Sequence, residues 1–331
     1  MTQSSKASKA SSGQSTLMLC LGWGIVSIIF FLLFGALAPG EDARPDWFLI
    51  SINFLEIFAF LLAAFLCFRN SSSSQIISGR TVWLALGVGM LTYAAGTVFF
   101  FLWGTVWGLD PSVSMGDGFY FISYMGMVVG MLLAALPRRI DLSLPQWGTI
   151  VAIGAVGIVL ACGLNFGWPS ASAQLLSPPA MAAEIAQAPT EPEAIVVPVE
   201  NAAAEAEADI EIVAGLLPAP GWAQALDAAL ERFADPVALI YVVLDCFLVV
   251  IAAALLVAFW GGRFSQSWQL IAIATFCLYI ADMAFAAVGD NYIEGALWEV
   301  FWILSALFFA AGASIEYNVS KRSRRGSRRR A

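Results

Sequence analysis

The sequence predicts an all-α polytopic membrane protein with eight transmembrane helices and a parallel four-plus-four internal repeat. Composition is the first reason. The chain is 60% hydrophobic and 12% charged, with a mean hydropathy of +0.80, a balance that excludes an ordinary soluble domain. Spacing is the second. The apolar residues gather into stretches at approximately 17–38, 47–68, 82–104, 118–136, 147–167, 236–260, 267–288 and 295–315. Each is near the about 20 residues that a helix needs to cross a hydrocarbon core of roughly 30 Å. Charge is the third. With the connecting loops numbered alternately, one side receives Lys6, Lys9, Arg69, Arg80, Arg138, Arg139, Arg263, Lys321, Arg322, Arg324, Arg325, Arg328, Arg329 and Arg330, and the other only Arg44 and Arg232. Positively charged loops stay cytoplasmic, so both termini are expected inside.

The N-terminal residues 1–16 are rich in Ser, Lys and Ala and are expected to be a disordered cytoplasmic segment. Span one has features of a signal peptide, including Ala36-Leu37-Ala38. Its apolar run is longer than the usual signal core of about 7–15 residues, and Pro39 would directly follow the cut, so the span is expected to be retained. Span two carries Glu56 and ends at Arg69. Span three opens with Trp83 and carries Tyr93 and Thr97, and span four follows Asp117, expected as its helix N-cap. Span five ends the stretch 17–168, which is expected to be the first four-helix membrane repeat.

Residues 169–235 form one long external loop, acidic and rich in Ala and Pro at first. Its last part differs. Trp222, Leu226, Leu230 and Phe233 recur at helical spacing, which predicts an amphipathic helix over 222–234, lying on the outer membrane surface or packed on the loop itself. The remaining spans, within 236–315, carry Asp245, Tyr279, Asp282 and Glu299, and 316–331 is a basic cytoplasmic tail. The net charge of -8 therefore sums a cationic inner face and an acidic outer loop, and it does not point to a nucleic-acid partner.

The repeat rests on residue correspondences. Leu55-Glu56-Ile57-Phe58 in span two matches Leu244-Asp245-Cys246-Phe247 in span six, and each is followed by apolar residues ending at Arg69 or Arg263. Trp83 matches Trp268, and the same offset of 185 sets Thr97 against Asp282. Aromatic spans close both halves, with Phe119, Tyr120 and Tyr124 against Trp298, Phe301 and Trp302. Four spans per unit would relate the halves by an axis along the membrane normal, unlike an inverted repeat.

Four acids lie inside spans, where an ionisable residue is costly and marks a candidate site. At about 1.5 Å per residue, Glu56 and Asp245 are expected about 14 Å below the outer end, Asp282 about 10 Å and Glu299 about 6 Å. No span contains a cation to neutralise them. They are therefore expected to turn inward, as hydrogen-bonded contacts between helices or as a ligand or ion site. Tyr93, Tyr124, Tyr279, Thr97 and Asn53 are the expected partners. The chain has no histidine, which removes imidazole ligation and histidine-dependent triads. No metal motif, nucleotide loop or in-span lysine for a Schiff base is present, so no cofactor, no metal and no enzyme activity are expected. Cys20, Cys67, Cys162, Cys246 and Cys277 all fall in spans and are expected to be small apolar fillers. Trp47, Trp103, Trp107, Trp168 and Trp298 are expected as interfacial anchors, and Gly22, Gly24, Gly87, Gly89, Gly126 and Gly130 as close-packing positions.

The run Ser114-Met115-Gly116-Asp117-Gly118-Phe119-Tyr120-Phe121-Ile122-Ser123-Tyr124, followed by Gly130, resembles the multi-span membrane input modules found ahead of GGDEF/EAL proteins and some sensor kinases. These read roughly S-x-x-D-x-x-Y-L-x-x-Y-x-x-x-x-x-G-L. The likeness covers spans two to eight loosely. Val113 and Met125 stand where that pattern often has proline, and only the basic tail follows span eight. The resemblance implies a membrane module of that fold and does not imply nucleotide chemistry. The expected function is non-enzymatic sensing, regulation or ligand binding. A small cation- or proton-coupled transporter and a structural or assembly subunit are the alternatives. The expected setting is a bacterial inner membrane or an equivalent internal one. The expected partners are the bilayer, anionic lipid at Lys321–Arg330 and a second membrane protein.

Overall fold

A backbone inside hydrocarbon must satisfy its own hydrogen bonds, so apolar stretches of this length can settle only as helices or closed barrels. The computed structural model describes residues 4–35, 44–109, 113–135, 143–166, 215–259, 265–288 and 292–327, and these hold helices and no strand. In order they are α1 (Ser4–Phe34), α2 (Asp46–Ser71), α3 (Arg80–Phe101) with a π-helical end (Leu102–Val106), α4 (Met115–Ala135), α5 (Leu144–Phe166), α6 (Gly221–Leu230), a 3₁₀ turn (Glu231–Phe233), α7 (Ala234–Ala258), α8 (Ser265–Val288), a second 3₁₀ turn (Leu297–Glu299) and α9 (Val300–Ser327). Among the described residues eight helical stretches are long and apolar enough to cross a membrane, and α6 is joined to one of them through α7. The chain is an all-α polytopic membrane protein.

Two boundaries correct the sequence reading. α1 begins at Ser4, so helix occupies most of the stretch expected to be disordered. The segment is free of proline, and its alanines and lysines extend a helix that span one has already nucleated. α9 likewise continues past 315 to Ser327, through much of the basic tail. The amphipathic segment forms as α6, but it lies against protein. Trp222 packs edge-on to Trp103 and Trp107, with ring centroids 5.8 and 5.5 Å apart, and Trp103 Nε1 donates to Asp227 at 3.1 Å. Trp103 is consequently fully buried and is no interfacial anchor, whereas Trp47 is exposed as expected. Trp168 and the acidic part of the loop lie outside the described residues.

Six helices close a ring of neighbours in the order α2, α3, α4, α7, α8, α9 and back to α2, with α1 against α9 and α5 against α7. The two ends of this ring differ. The half nearer the termini is packed solid by Trp83, Leu86, Met90, Met127, Met131, Leu248, Leu255 and Trp268, all fully buried. The rings of Trp83 and Trp268 lie 6.0 Å apart at its centre. Polar side chains tie the helices there: Asn70 Nδ2 donates to the Ala313 carbonyl at 2.8 Å, Ser267 Oγ to that of Gly312 at 2.8 Å, and Ser78 Oγ to Glu316 Oε1 at 2.8 Å.

α3 and α4 approach through Gly89 and Gly126. A Cβ on Gly126 would meet the Gly89 backbone and the Ala85 carbonyl at 2.8 Å, which backbone cannot yield. Gly22, expected to act similarly, faces open space. Cys20, Cys67 and Cys277 are buried and Cys162 is exposed on the outer surface of the bundle. Large apolar side chains such as Phe54, Phe65, Leu33 and Val156 are also exposed, which suits a surface solvated by lipid.

Candidate functional site

The half of the ring away from the termini does not fill. It encloses a cavity of about 530 Å³. Helical periodicity builds its walls. α2 contributes Ile52, Asn53 and Glu56; α3 contributes Tyr93, Thr97 and Phe100; α4 contributes Asp117, Tyr120 and Tyr124; α7 contributes Tyr241, Val242 and Asp245; α8 contributes Asp282, Met283 and Ala286; α9 and the turn before it contribute Glu294, Glu299 and Trp302. Spacings of one, three, four and seven residues keep these side chains on one side of each helix. Among the described residues every charged group lining the cavity is an acid.

The expected site residues mostly meet here. Glu56, Asp245, Asp282, Glu299, Tyr93, Tyr124 and Thr97 all line this one cavity. Tyr279 does not. Its hydroxyl donates to the Gly157 carbonyl on α5 at 2.6 Å, in a separate buried cluster with Ala161, Val242, Val249 and Met283. A neighbouring helix captured it, which spacing along α8 could not reveal.

The centre of the site is Tyr124. Its hydroxyl oxygen lies 2.8 Å from Asp245 Oδ1 and 2.7 Å from Asp282 Oδ2. A tyrosine hydroxyl has one proton to donate. A second short contact therefore needs a proton on one of the acids, and the three groups share hydrogen between α4, α7 and α8. Asp282 Oδ1 additionally accepts from Trp302 Nε1 at 2.9 Å, which ties in α9. On the opposite wall Thr97 Oγ1 donates to Glu56 Oε1 at 3.0 Å, and the Tyr120 hydroxyl lies 3.4 Å from Thr97 Oγ1.

Two expected roles change. Asp117 is not itself the N-cap of α4. Ser114 takes that place, with its Oγ accepting from the Gly116 backbone at 3.1 Å, while Asp117 Oδ2 reaches back to the Ser114 backbone N–H at 2.7 Å. That is the reciprocal arrangement of a capping box, with aspartate as its acid. The other oxygen, Oδ1, accepts from the Tyr241 hydroxyl at 2.8 Å and joins α4 to α7. Glu299 is also a terminal carboxylate. Its Oε1 accepts from the Gly295 and Ala296 backbone N–H groups at 2.7 and 2.8 Å, and Gly295 at φ +91° gives the chain the turn that permits it.

Among the hydrogen-bonding side chains of the lining, sequence reasoning missed Glu294, Tyr241, Tyr292, Tyr120 and Trp302 as site members. Tyr241 and Tyr120 each stand one helical turn from an expected residue, Asp245 and Tyr124, and that spacing was an available signal. Glu294 and Tyr292 lie in the turn before α9, outside any span, and carried none. Glu294 is placed by Asn53 Nδ2 at 2.6 Å and Thr105 Oγ1 at 3.3 Å. Burial raises its pKa above the ordinary carboxylate value, and those two hydrogen bonds oppose the shift. Arg44 steadies the same turn by donating to the carbonyls of Glu294 at 3.0 Å and Gly35 at 2.8 Å.

No family model, no curated protein and no solved structure matches the chain.

Proposed function

We propose that the chain is a non-enzymatic membrane module for ligand binding and sensing, with the ligand held in the cavity between α2, α3, α4, α7, α8 and α9. The observation that carries this reading is the cavity itself. Its volume is within the about 300–1,000 Å³ of small-molecule sites, and it joins apolar and aromatic walls to a few convergent polar groups. The ligand would enter from the outer side. Both termini would be cytoplasmic, in a bacterial inner membrane or its equivalent, with the basic end of α9 against anionic lipid. The likeness of Ser114–Tyr124 to membrane input modules supports a sensory role, and the capping box and cavity give those residues positions consistent with one.

A proton- or cation-coupled transporter is the second reading, favoured by the proton shared through Tyr124. Against it, the lining residues all come from one half of the ring, and the other half is closed by fully buried tryptophan, leucine and methionine. An internal duplication relating α2–α4 to α7–α9 is proposed with either reading. The closed ring order and the central Trp83–Trp268 contact support it.

Native mass spectrometry of the chain released from mild detergent tests the leading reading. A bound small molecule, lost in Asp245→Asn, is the expected result. A stoichiometric protein partner with no small molecule would favour an assembly subunit, and proton-coupled flux in vesicles would favour transport.

A further inference from the structure

We infer that the ligand of this cavity is a small primary ammonium ion, an alkylamine carrying its positive charge between the acids and the aromatic rings. The inference rests on the reading of the cavity as a ligand site and adds the ligand's class.

Two independent observations carry it. The first is charge. Asp245, Asp282 and Asp117 stand on one side of the cavity and Glu56 and Glu294 on the other, with no Lys or Arg among the lining residues. The shared proton at Tyr124 serves one member of the Asp245–Asp282 pair and leaves the other in need of a counter-charge. An anion would worsen this, and a neutral ligand would leave it unanswered.

The second is Tyr93. It is 5% exposed and lines the cavity, its ring stacks on Phe60 at 3.8 Å and meets Tyr120 edge-on at 4.8 Å, and its hydroxyl has no hydrogen-bond partner among the described residues. That oxygen is an acceptor on the cavity wall, and a ligand N–H directed at it would give it a partner.

The surrounding rings add to the same preference. Aromatic faces attract a cation, more strongly when water is excluded. A metal ion is a poorer fit. Among the described residues no three acids, cysteines or histidines converge as a metal site, and the carboxyls are spread around the wall.

The test uses the full chain in lipid nanodiscs and calorimetric titration with 1,4-diaminobutane, with 1,4-butanediol as the uncharged counterpart and calcium chloride as the metal control. Saturable binding of the diamine is expected, with none of the diol. Asp245→Asn is expected to weaken it about tenfold, and Tyr93→Phe about fivefold, the worth of one hydrogen bond. Tyr93→Phe removes one unpartnered oxygen and nothing that packs, so it decides the matter even if Asp245→Asn does not fold. Absence of diamine binding, equal binding of the diol, displacement by calcium, or undiminished affinity in Tyr93→Phe would overturn the inference. If the diamine fails while the native spectrum still carries a bound small molecule, the ammonium class falls and the ligand reading stands. If neither shows a ligand, both fall.

Discussion

Tyr124 joins three helices with one hydroxyl, and its removal is the sharpest single-residue experiment on the fold. Tyr124→Phe leaves Asp245 and Asp282 facing each other without their bridge. A loss of about 1–3 kcal/mol is expected, the usual cost of stranding a buried polar group. Unfolding in mixed detergent micelles measures it, and unchanged stability would show that the bridge carries no load. Glu294 gives a pH signature. Its folded-state pKa is raised above the ordinary 4.5 by burial, so protonation favours the fold. That contribution is full below the ordinary value and is lost as pH rises through the raised one. Glu294→Gln is expected to flatten this part of the stability curve, and a curve that keeps its slope would contradict the assignment. At this scale the sequence was readable where a polar residue interrupts an apolar run, as at Glu56, Asp245 and Asp282. It was not readable where a neighbour decides the outcome. Tyr279 turned to α5, and Glu294 was drawn into the site by Asn53 from a helix far away in sequence.

Among the elements, α3 and α4 show most directly how small residues set helix distance. The Gly89–Gly126 contact brings backbone against backbone, so Gly126→Ala must separate the helices. Such overpacking costs about 1–3 kcal/mol. It should also disturb Tyr120 and Tyr124, six and two residues before it on the same helix, so thermal unfolding is expected to shift and ligand affinity to fall together. Gly22→Ala meets no atom and serves as the silent control. The glycines were visible in the sequence, but which of them touch a partner depends on the crossing point of two helices, and periodicity does not hold that information. α6 teaches the same lesson. Its amphipathic pattern was legible, yet an apolar face fits lipid and protein alike, and Trp222 found Trp103 and Trp107. Trp222→Ala is expected to release α6, read as faster hydrogen exchange over 221–230 than in the unaltered chain. Unaltered exchange would mean that the tryptophan cluster does not hold it.

At the scale of the whole molecule, apolar span length was enough to fix the number of helices, because hydrocarbon leaves an isolated chain few alternatives. The division of the ring into a packed half and an open half was only partly legible. The acids lie toward one end of their spans, which anticipated an open end. The closure of the other half by Trp83 and Trp268 is a long-range contact that no local pattern encodes. The proposed duplication predicts that 55–136 superposes on 244–315 by rotation about the membrane normal, and an experimental structure in which the halves share no such rotation would remove it.

The central claim is an acid-lined cavity open on the face away from the termini and closed on the other. Thiol labelling of Glu56→Cys tests it most directly, in a background with the five native cysteines replaced and in sealed vesicles of known orientation. Two methanethiosulfonates of similar size are compared, one bearing trimethylammonium and the other sulfonate. The account predicts labelling only from the side opposite the termini, faster with the cationic reagent. Labelling from the terminal side, or a rate indifferent to the reagent's charge, would contradict it.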